Sequence, residues 1–337
     1  MGKATILIVT SRWDTTAYAA AEILRRNGRE SAFFYPEDIP LRARIDSVFR
    51  QGKWSNKLHT EDGLIDLDDI KAVWWRKPYV SRPSKSLSRV EFPYARRESE
   101  YATRGLWELL LSDPEVYWMS DPHNIRKAGN KMIQMTKGAA HGLTSPKTII
   151  TNDPEDVRRF YDECSGKMVF KSMTGPFLLP GEVEDEYIPE TFVPGMPLVR
   201  PFTDEDMEHV DSVRQSACMF QELVEKKHEL RVTVFEDQIF TCRIESQENE
   251  LTRHDWRRQD SLPRATAGEL PDSVAKACLK LLDEFDLRFG AFDFIVTPDD
   301  EHVFLEVNPN GQWLFVQEWV PQLRLMQAFV DIMVRNS

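Results

Sequence analysis

Two apolar stretches near the C-terminal end of the chain flank the polar turn Asp299-Asp300, and each carries one acidic residue in its interior. This pattern predicts a β-hairpin. Folding the hairpin about that turn sets Asp293 opposite Glu306 on one face, and Asn308 points the same way because it follows Glu306 by two residues. Two facing carboxylates between apolar neighbours repel each other and lose hydration, so the pair requires a cation.

The donor atoms indicate which cation this is. Carboxylate and amide oxygens, completed by phosphate oxygens, are ligands that suit Mg²⁺. We therefore predict a magnesium site at Asp293, Glu306 and Asn308. The alternative is an exposed hairpin with ordinary acidic residues, and the apolar neighbours of both acids argue against it.

The first third of the chain alternates β-branched runs with amphipathic stretches, which predicts a βαβ-type α/β module over residues 1–120. The predicted strands are Thr5–Val9, Glu30–Tyr35 and Lys71–Trp75, and the predicted helices are Thr15–Arg26 and Glu91–Leu111. No Gly-x-Gly-x-x-Gly follows the first strand, so a dinucleotide site is not supported there. We expect Trp74 and Trp75 to pack a strand end and Arg76 to begin a solvated exit, with substrate contact by Arg76 as the alternative.

Composition excludes several classes of protein. The chain has 337 residues with 43 Lys+Arg against 55 Asp+Glu, a net charge of −12, which argues against a nucleic-acid binder. Its apolar runs are far shorter than the roughly 20 residues of a membrane helix, and the N-terminus lacks a secretion signal. The cysteines are widely separated and match no paired metal spacing. These features predict a cytoplasmic protein that does not bind membranes.

The central part, residues 121–216, is predicted to contain one helix over Asn124–His141 and a strand over Lys167–Lys171. A Pro- and Gly-bearing stretch, Thr174–Pro201, is a candidate flap over phosphates. Thr203 has capping-box spacing to Asp206 and predicts a helix to about Gln215. Residues 217–337 hold the remaining strands, the hairpin and a closing helix, and predict an α+β domain.

Other groups indicate a nucleotide site only weakly when each is taken alone. Lys171 ends an apolar strand and is placed to touch a phosphate, and Lys131 opens a helical pattern. The strand Cys218–Val224 has a backbone able to pair with an adenine edge. Glu229 lies seven residues beyond Glu222 and is able to reach ribose hydroxyls.

Taken in order, these segments resemble the ATP-grasp superfamily over residues 130–311. The resemblance implies the ATP-grasp fold, with Lys131 and Lys171 on the nucleotide phosphates and Glu229 on the ribose. It implies an adenine-binding hinge at Gln221, Glu222, Leu223 and Val224. It also assigns Mg²⁺ to Asp293, Glu306 and Asn308, and it makes ATP the cofactor.

A narrower resemblance rests on five segments: 74–78, 221–226, 229–234, 255–257 and 306–313. These look like the graspetide synthetases, the microviridin-type ligases that cyclise ribosomally made precursor peptides, and the similarity extends to the N-terminal module as a pre-ATP-grasp domain. It implies joining of Asp or Glu side chains to Ser or Thr hydroxyls or to Lys amines, as macrocyclic esters or amides. The expected partner is a precursor peptide with a leader and a core. The sequence leaves open whether the protein forms a homodimer.

The implied mechanism has a physical rationale. A carboxylate is a poor electrophile, so ligases of this type first transfer the γ-phosphoryl group of ATP to form an acyl phosphate, which the hydroxyl or amine then displaces. Magnesium and the two lysines supply positioning and charge neutralisation. Arg231, on a strand facing the nucleotide, is expected to stabilise the phosphoryl group and the tetrahedral intermediate.

Three further assignments concern catalysis and peptide binding. Arg243 shares the face of Arg231 if the hairpin turn has three residues and takes the other face if it has two; we expect a shared catalytic site. Asp255 and Arg257 are candidates for the rim of the active site or for a solvated loop. An acidic run is expected either to stabilise a helix start or to bind a basic residue of the leader; its members are Asp204, Glu205, Asp206 and Glu208.

Two other functions stay open from the sequence. One is an ATP-grasp ligase that adds free amino acids to a peptide or protein, which the 255–257 and 310–313 segments argue against. The other is a nucleotide-binding module without catalysis, which both lysines and the acidic pair argue against.

Overall fold

The computed structural model describes residues 4–174, 199–257 and 261–337. The N-terminal strands and helices in these ranges are β1 (Ile6–Val9), α1 (Thr15–Arg26), β2 (Ser31–Phe34), β3 (Arg44–Arg50), β4 (Lys53–Thr60), β5 (Gly63–Asp66), β6 (Ala72–Trp75), α2 (Glu91–Leu111) and β7 (Tyr117–Trp118). The central ones are α3 (Pro122–Ala128), α4 (Lys131–Ala140), β8 (Thr148–Thr151), α5 (Pro154–Glu163), β9 (Met168–Lys171) and α6 (Asp204–Glu208). The C-terminal ones are β10 (Cys218–Glu222), β11 (His228–Phe235), β12 (Gln238–Ile244), β13 (Ala265–Ala267), α7 (Asp272–Glu284), β14 (Phe289–Val296), β15 (His302–Asn308), α8 (Leu314–Trp319) and α9 (Leu325–Arg335).

A parallel sheet in the order β2-β1-β6-β7 forms the N-terminal part and confirms the predicted α/β module. Every residue of β1 is 0% exposed, as its unbroken apolar run requires in a sheet covered on both faces. Asp14 caps α1 by accepting a hydrogen bond from the Ala17 N–H. Trp74 and Trp75 are packed as predicted, Trp74 against Phe329 and Trp75 against Trp107.

The sequence analysis missed the antiparallel sheet β3-β4-β5. Its strands carry charged and polar residues on both faces, and most of β3 is exposed, so the alternation that marks a half-buried strand is weak. Val48, Phe49 and Trp54 are among its exposed side chains, and the Phe49 and Trp54 rings are 5.2 Å apart.

One predicted helix, Asn124–His141, is wrong because the structure divides it into α3 and α4. The break lies at Gly129-Asn130, where the Asn130 side chain accepts hydrogen bonds from the N–H groups of Met132 and Ile133. Asn130 therefore begins a new helix and places Lys131 at its first residue. The predicted helix to Gln215 is also shorter: α6 ends at Glu208, and a 3₁₀ turn, Val210–Gln215, follows it. Most of the predicted flap, residues 175–198, lies outside the described residues.

The C-terminal part is built on the antiparallel sheet β13-β12-β11-β14-β15, and β10 belongs to a separate sheet, β8-β10-β9. The two faces of the larger sheet bury different sets of side chains. One face, which includes Phe292, Phe294 and Phe304, packs on α7. The other face packs on β1, β6 and α9, so the N-terminal module and this sheet share one apolar core.

None of the helices within the described ranges combines the length and the apolar character needed to cross a membrane. Cys164, Cys218, Cys242 and Cys278 are free thiols.

Trp313 joins the two modules through apolar contact, which gives a test of the shared core. Its side chain is 1% exposed and packs against Trp74, Phe235 and Phe329. We expect Trp313→Ala to lower the free energy of unfolding by about 3–5 kcal/mol, measured by urea denaturation. The matched control is Trp13→Ala, at a residue that is 83% exposed, which should change it by less than about 0.5 kcal/mol. Equal losses in both variants would contradict the shared core.

Candidate functional site

Asp293, Glu306 and Asn308 meet on one face of the C-terminal sheet, as predicted. Asp293 pairs with Glu306 across β14 and β15, and Asn308 pairs with Ala291. A β-bulge between Asp293 and Phe294 shifts the register, so Phe294 pairs with Phe304 and Leu305 is the extra residue. Without this bulge the register at the turn would place Leu305, not Glu306, opposite Asp293. The bulge therefore brings the two carboxylates together.

Each of the two carboxylates is paired with a cationic side chain. The Arg231 Nη1 donates to Asp293 Oδ1 and Oδ2 at 2.9 and 2.8 Å, and the Lys131 Nζ donates to Glu306 Oε2. Burial raises the pKa of Asp293 above its usual range, and nearby Glu306 adds to this. Burial acts on Glu306 in the same direction, but the ammonium groups of Lys131 and Lys171 outweigh it and hold the pKa of Glu306 below its usual range. Glu306 is therefore held as a carboxylate.

The donor set fits a magnesium ion. The Asn308 Nδ2 donates to Asp293 Oδ2 at 3.1 Å and to Glu306 Oε1 at 3.2 Å, so all three side chains converge on one point. An amide turned by 180° would place the Asn308 oxygen at that point instead. The described residues contain no group of three His, Cys, Asp or Glu side chains placed to hold a metal. Because two carboxylates and one amide supply few donor atoms, such a site leaves coordination positions for phosphate oxygens and water, as Mg²⁺ sites usually do.

The predicted phosphate-binding lysines lie beside this pair. Lys131 reaches Glu306 from the first turn of α4, and Lys171 ends β9. Desolvation and the positive charges of Lys131, Lys226 and Arg257 together lower the pKa of Lys171 to about 8, against the attraction of Glu306. An anion that binds among these cations would raise the pKa of Lys171 back towards the usual value of a lysine.

Arg231 and Arg243 do not share a face, so the expectation of a shared catalytic site is wrong in its geometry. Phe235 pairs with Gln238, which makes a two-residue turn, and Arg231 then pairs with Cys242 while Arg243 pairs with Leu230. Arg243 is instead bonded to Glu245, with its Nε 2.6 Å from Oε1. Arg231 is 5% exposed, and its Nη2 donates to the Gln312 carbonyl at 2.9 Å. Arg231 therefore remains in the site and Arg243 lies outside it.

The hinge segment follows β10, where Gln221 is 1% exposed and donates to Thr148 Oγ1 at 2.9 Å. Backbone pairing continues through Glu222 and Leu223, whose N–H groups donate to Lys147 and Lys167. For Val224 the described residues supply no acceptor, so its N–H is available to a base edge. Glu229 is 5% exposed on β11, and Lys226 donates to its Oε1 at 3.1 Å. Burial raises the pKa of Glu229, although Lys226 opposes it.

Asp255 and Arg257 lie at the site rather than in a solvated loop. Asp255 is 5% exposed and accepts from the Arg257 Nε and Nη2 at 2.8 and 2.6 Å. Burial alone would lower the pKa of Arg257, but Asp255, Glu306 and Asp293 raise it, so the guanidinium lies within the field of the acidic pair.

The acidic run divides into engaged and available residues. Asp206 forms the predicted capping box with Thr203 and pairs with Arg200, which holds its pKa well below the usual range. Asp204 accepts a hydrogen bond from the Tyr161 hydroxyl at 3.2 Å. Glu205 and Glu208 have no ion pair or hydrogen bond with a side chain of the described residues. Helix stability thus accounts for half of the run.

The sequence analysis missed the role of Arg76, which is buried at 1% exposure instead of solvated. It bonds to the segment Asn310–Gln312 that follows Asn308. The only sequence signal for this contact was the polar strand exit itself, because the partner segment lies more than two hundred residues away.

Comparisons with known proteins agree with this architecture. Residues 5–126 match the family described as the MvdD pre-ATP grasp domain. A RiPP-associated ATP-grasp ligase from Chryseobacterium gregarium, solved with ADP, a leader and a core peptide, is 27% identical with a TM-score of 0.84, covering 100% of this chain and 98% of that one. The macrocyclase MdnB from Microcystis aeruginosa MRC is 28% identical with a TM-score of 0.80, covering 99% of both chains. The macrocyclase MdnC from the same source, bound with precursor peptide MdnA, is 24% identical with a TM-score of 0.83, covering 98% of this chain and 99% of that one.

No curated protein sequence matches the chain. The structural matches nevertheless extend over its whole length, and they confirm the ATP-grasp fold with an N-terminal pre-ATP-grasp domain. They also confirm the predicted resemblance to RiPP-associated ATP-grasp ligases and macrocyclases.

The lowered pKa of Lys171 predicts how nucleotide binding depends on pH. Protonated Lys171 attracts phosphate, so the affinity for ATP should fall as the pH rises through about 8. Loss of this proton should weaken binding by about tenfold between pH 7 and pH 9. Lys171→Arg, which stays charged over this range, should flatten the dependence, as followed by calorimetric titration with ATP.

Lys147→Arg is the matched control, because Lys147 is an exposed lysine that pairs with Glu163. It should leave the pH dependence unchanged. A Lys171→Arg variant with the slope of the unchanged protein would show that another group titrates.

Proposed function

We propose that this chain, which has the fold and the N-terminal domain of ATP-grasp peptide ligases, is an ATP-dependent ligase that cross-links a ribosomally made precursor peptide. It activates Asp or Glu side chains of the peptide as acyl phosphates and joins them to Ser or Thr hydroxyls or to Lys amines. The products are ADP, phosphate and a macrocyclic ester or amide.

One arrangement carries the proposal: the bulged hairpin that sets Asp293 and Glu306 side by side, with Lys131, Lys171 and Arg231 around them. Acidic oxygens for a metal next to cations for phosphates are what transfer of a γ-phosphoryl group requires, because that reaction depends on positioning and charge neutralisation. Magnesium held by Asp293, Glu306 and Asn308 supplies that neutralisation on the phosphate side.

Each remaining group has a task that its surroundings favour. Lys131 and Lys171 bind the polyphosphate, and the free N–H of Val224 binds the adenine edge. Glu229 accepts hydrogen bonds from ribose hydroxyls. Arg231 orients Asp293 through one terminal nitrogen and places its positive charge beside the transferring phosphoryl group.

The peptide substrate is supported by chemistry at two places. Glu205 and Glu208 are available acids next to a capped helix start, which suits a basic residue of a leader. Arg257 is held rigidly by Asp255 and faces the acidic pair, which suits a carboxylate or acyl phosphate of the core. The solved relatives with leader, core or precursor peptides support the same class of substrate.

The test uses the product of a short reading frame beside this gene, selected for repeated Thr/Ser and Glu/Asp clusters. After incubation with ATP and Mg²⁺, its intact mass should fall by whole water molecules, one for each bond formed. Glu306→Gln removes the negative charge with little change of shape and should reduce the rate at least about 100-fold. Mass spectrometry of the peptide follows both reactions.

Glu301→Gln is the matched control on the same hairpin, because Glu301 is exposed beside the turn and should leave the rate unchanged. A peptide of unchanged mass with ADP release on adding free amino acids would favour the free-amino-acid ligase. Nucleotide binding without any ADP release would favour a binding module. Full activity of Glu306→Gln would remove the magnesium site from the mechanism.

A further inference from the structure

We propose that Arg76 of the N-terminal domain is a positioning residue for the phosphoryl-transfer site in the C-terminal sheet. This inference rests on the proposed function, since the site it positions is the one assigned there. Arg76 lies directly after β6, where the sequence alone indicated a solvated exit from a strand.

The contacts of Arg76 concentrate on one short segment. Its Nη1 donates to the carbonyl oxygens of Asn310 and Gly311 at 2.9 and 3.0 Å, and its Nη2 donates to Gln312 Oε1. On its other edge the Nε lies 3.2 Å from Asp14 Oδ2. One guanidinium therefore ties the first helix of the N-terminal domain to the segment that follows Asn308.

Asp14 is itself fixed, so Arg76 is held from both sides. The Thr10 hydroxyl donates to Asp14 Oδ2 at 2.9 Å, and Asp14 caps α1. The Thr16 hydroxyl, in the first turn of the same helix, donates to Gln312 Oε1 at 3.1 Å. Arg76 and Thr16 thus hold the Gln312 side chain against the N-terminal domain.

Gln312 is linked to the acidic pair through a single side chain, that of Arg231. The Gln312 carbonyl accepts the Arg231 Nη2 at 2.9 Å, while the Arg231 Nη1 holds both oxygens of Asp293. The Gly311 N–H donates to the Asn308 carbonyl at 3.1 Å, so the same segment forms the turn that carries Asn308. The position of this segment therefore sets the position of both Arg231 and Asn308.

The segment has little freedom to adjust if Arg76 is lost. A Cβ atom at Gly311 would lie 2.8 Å from the Arg231 Nη2, 2.8 Å from the Ala291 Cβ and 3.0 Å from the Asn308 Cβ. The backbone there is packed directly against Arg231 and Asn308. A displacement of the segment would therefore move both side chains.

The geometry requires a guanidinium. Arg76 reaches acceptors on two edges of a planar fork, whereas a lysine ammonium is a single point charge on a flexible stem. Burial, and to a smaller extent the positive charge of Arg231, lower the pKa of Arg76 to about 10 against the attraction of Asp14. The hydrogen bonds of its two terminal nitrogens, and the ion pair of its Nε with Asp14, offset the cost of burying this cation beside a second one, although the Nε itself makes no hydrogen bond within the described residues.

The matched control is Arg29, a second arginine of the N-terminal domain that bonds to a C-terminal backbone carbonyl. Its Nη2 donates to the Val334 carbonyl at 3.1 Å, at the end of α9 and away from the acidic pair. Arg29→Gln removes one hydrogen bond between these two parts of the chain, and Arg76→Gln removes the hydrogen bonds of both terminal nitrogens. Only Arg76→Gln removes a contact to the active-site segment.

The experiment measures kcat and KM for ATP with the precursor peptide, the thermal midpoint of unfolding, and the gain in ADP affinity on adding Mg²⁺. For Arg76→Gln and Arg76→Lys we expect kcat to fall by about 10- to 100-fold, the scale for losing a group that orients metal ligands. KM for ATP should change by less than about threefold, because the lysines and the hinge that bind it are untouched. The Mg²⁺-dependent gain in ADP affinity should fall, and Arg29→Gln should change only the unfolding midpoint.

A milder variant, Gln312→Met, covers the case in which the Arg76 variants fail to fold. It removes the side-chain contact and leaves the two backbone contacts of Arg76, and it should lower kcat in the same direction by a smaller factor. Equal behaviour of the Arg76 and Arg29 variants would overturn the proposal, and so would a rise in KM with kcat unchanged.

Failure of the proposed function would appear differently from failure of this inference. If the unchanged protein does not modify the peptide but binds ADP more tightly with Mg²⁺, the comparison of Arg76→Lys with Arg29→Gln in that binding still decides whether Arg76 positions the site. An undiminished Mg²⁺ effect in Arg76→Lys would then refute the inference alone.

Discussion

The ion pair between Arg231 and Asp293, across β11 and β14, is the interaction on which the site depends. Both side chains are largely withdrawn from water, so each is stable there only with the other. Removing one partner of such a buried pair costs about 3–5 kcal/mol, because an uncompensated charge remains. Glu306 and Lys131 repeat this arrangement beside them. The charges that the proposed phosphoryl transfer requires are thereby held in a folded apolar sheet.

The ion pairs depend in turn on the C-terminal sheet, whose two faces pack into two different apolar cores. The face opposite Asp293 packs on α7 and holds the strands rigid, while the face that bears Asp293 packs on the N-terminal module. Trp313 joins the modules through apolar contact, and Arg76, which precedes it in the chain by more than two hundred residues, joins them through hydrogen bonds. The N-terminal domain is therefore part of the support of the site and not a separate unit beside it.

Much of the site was predictable because its residues stand in short patterns with a clear period. Lys171 and the hairpin acids end or interrupt apolar runs, and alternation along a strand fixes which face the acids share, while Lys131 opens a helical pattern. The prediction for Arg243 was wrong because the sheet face on which its side chain lies depends on the length of the hairpin turn, and one residue more or less in the turn reverses that face. The sheet β3-β4-β5 was missed because its strands are polar on both faces.

The sequence by itself determined the chemistry of this protein: which acids, amides and lysines are present, and which strands carry them. The sequence also predicted that Asp293 faces Glu306, but only the tertiary structure decided the register by which they pair and the cations that join them. The bulge that aligns Asp293 with Glu306 is a local irregularity that shifts pairing by one residue, and no residue pattern marks it. The burial of Arg76 likewise depends on a segment distant in sequence. Periodicity describes neighbours along the chain, whereas register and long-range contact are set by the packing of the whole fold.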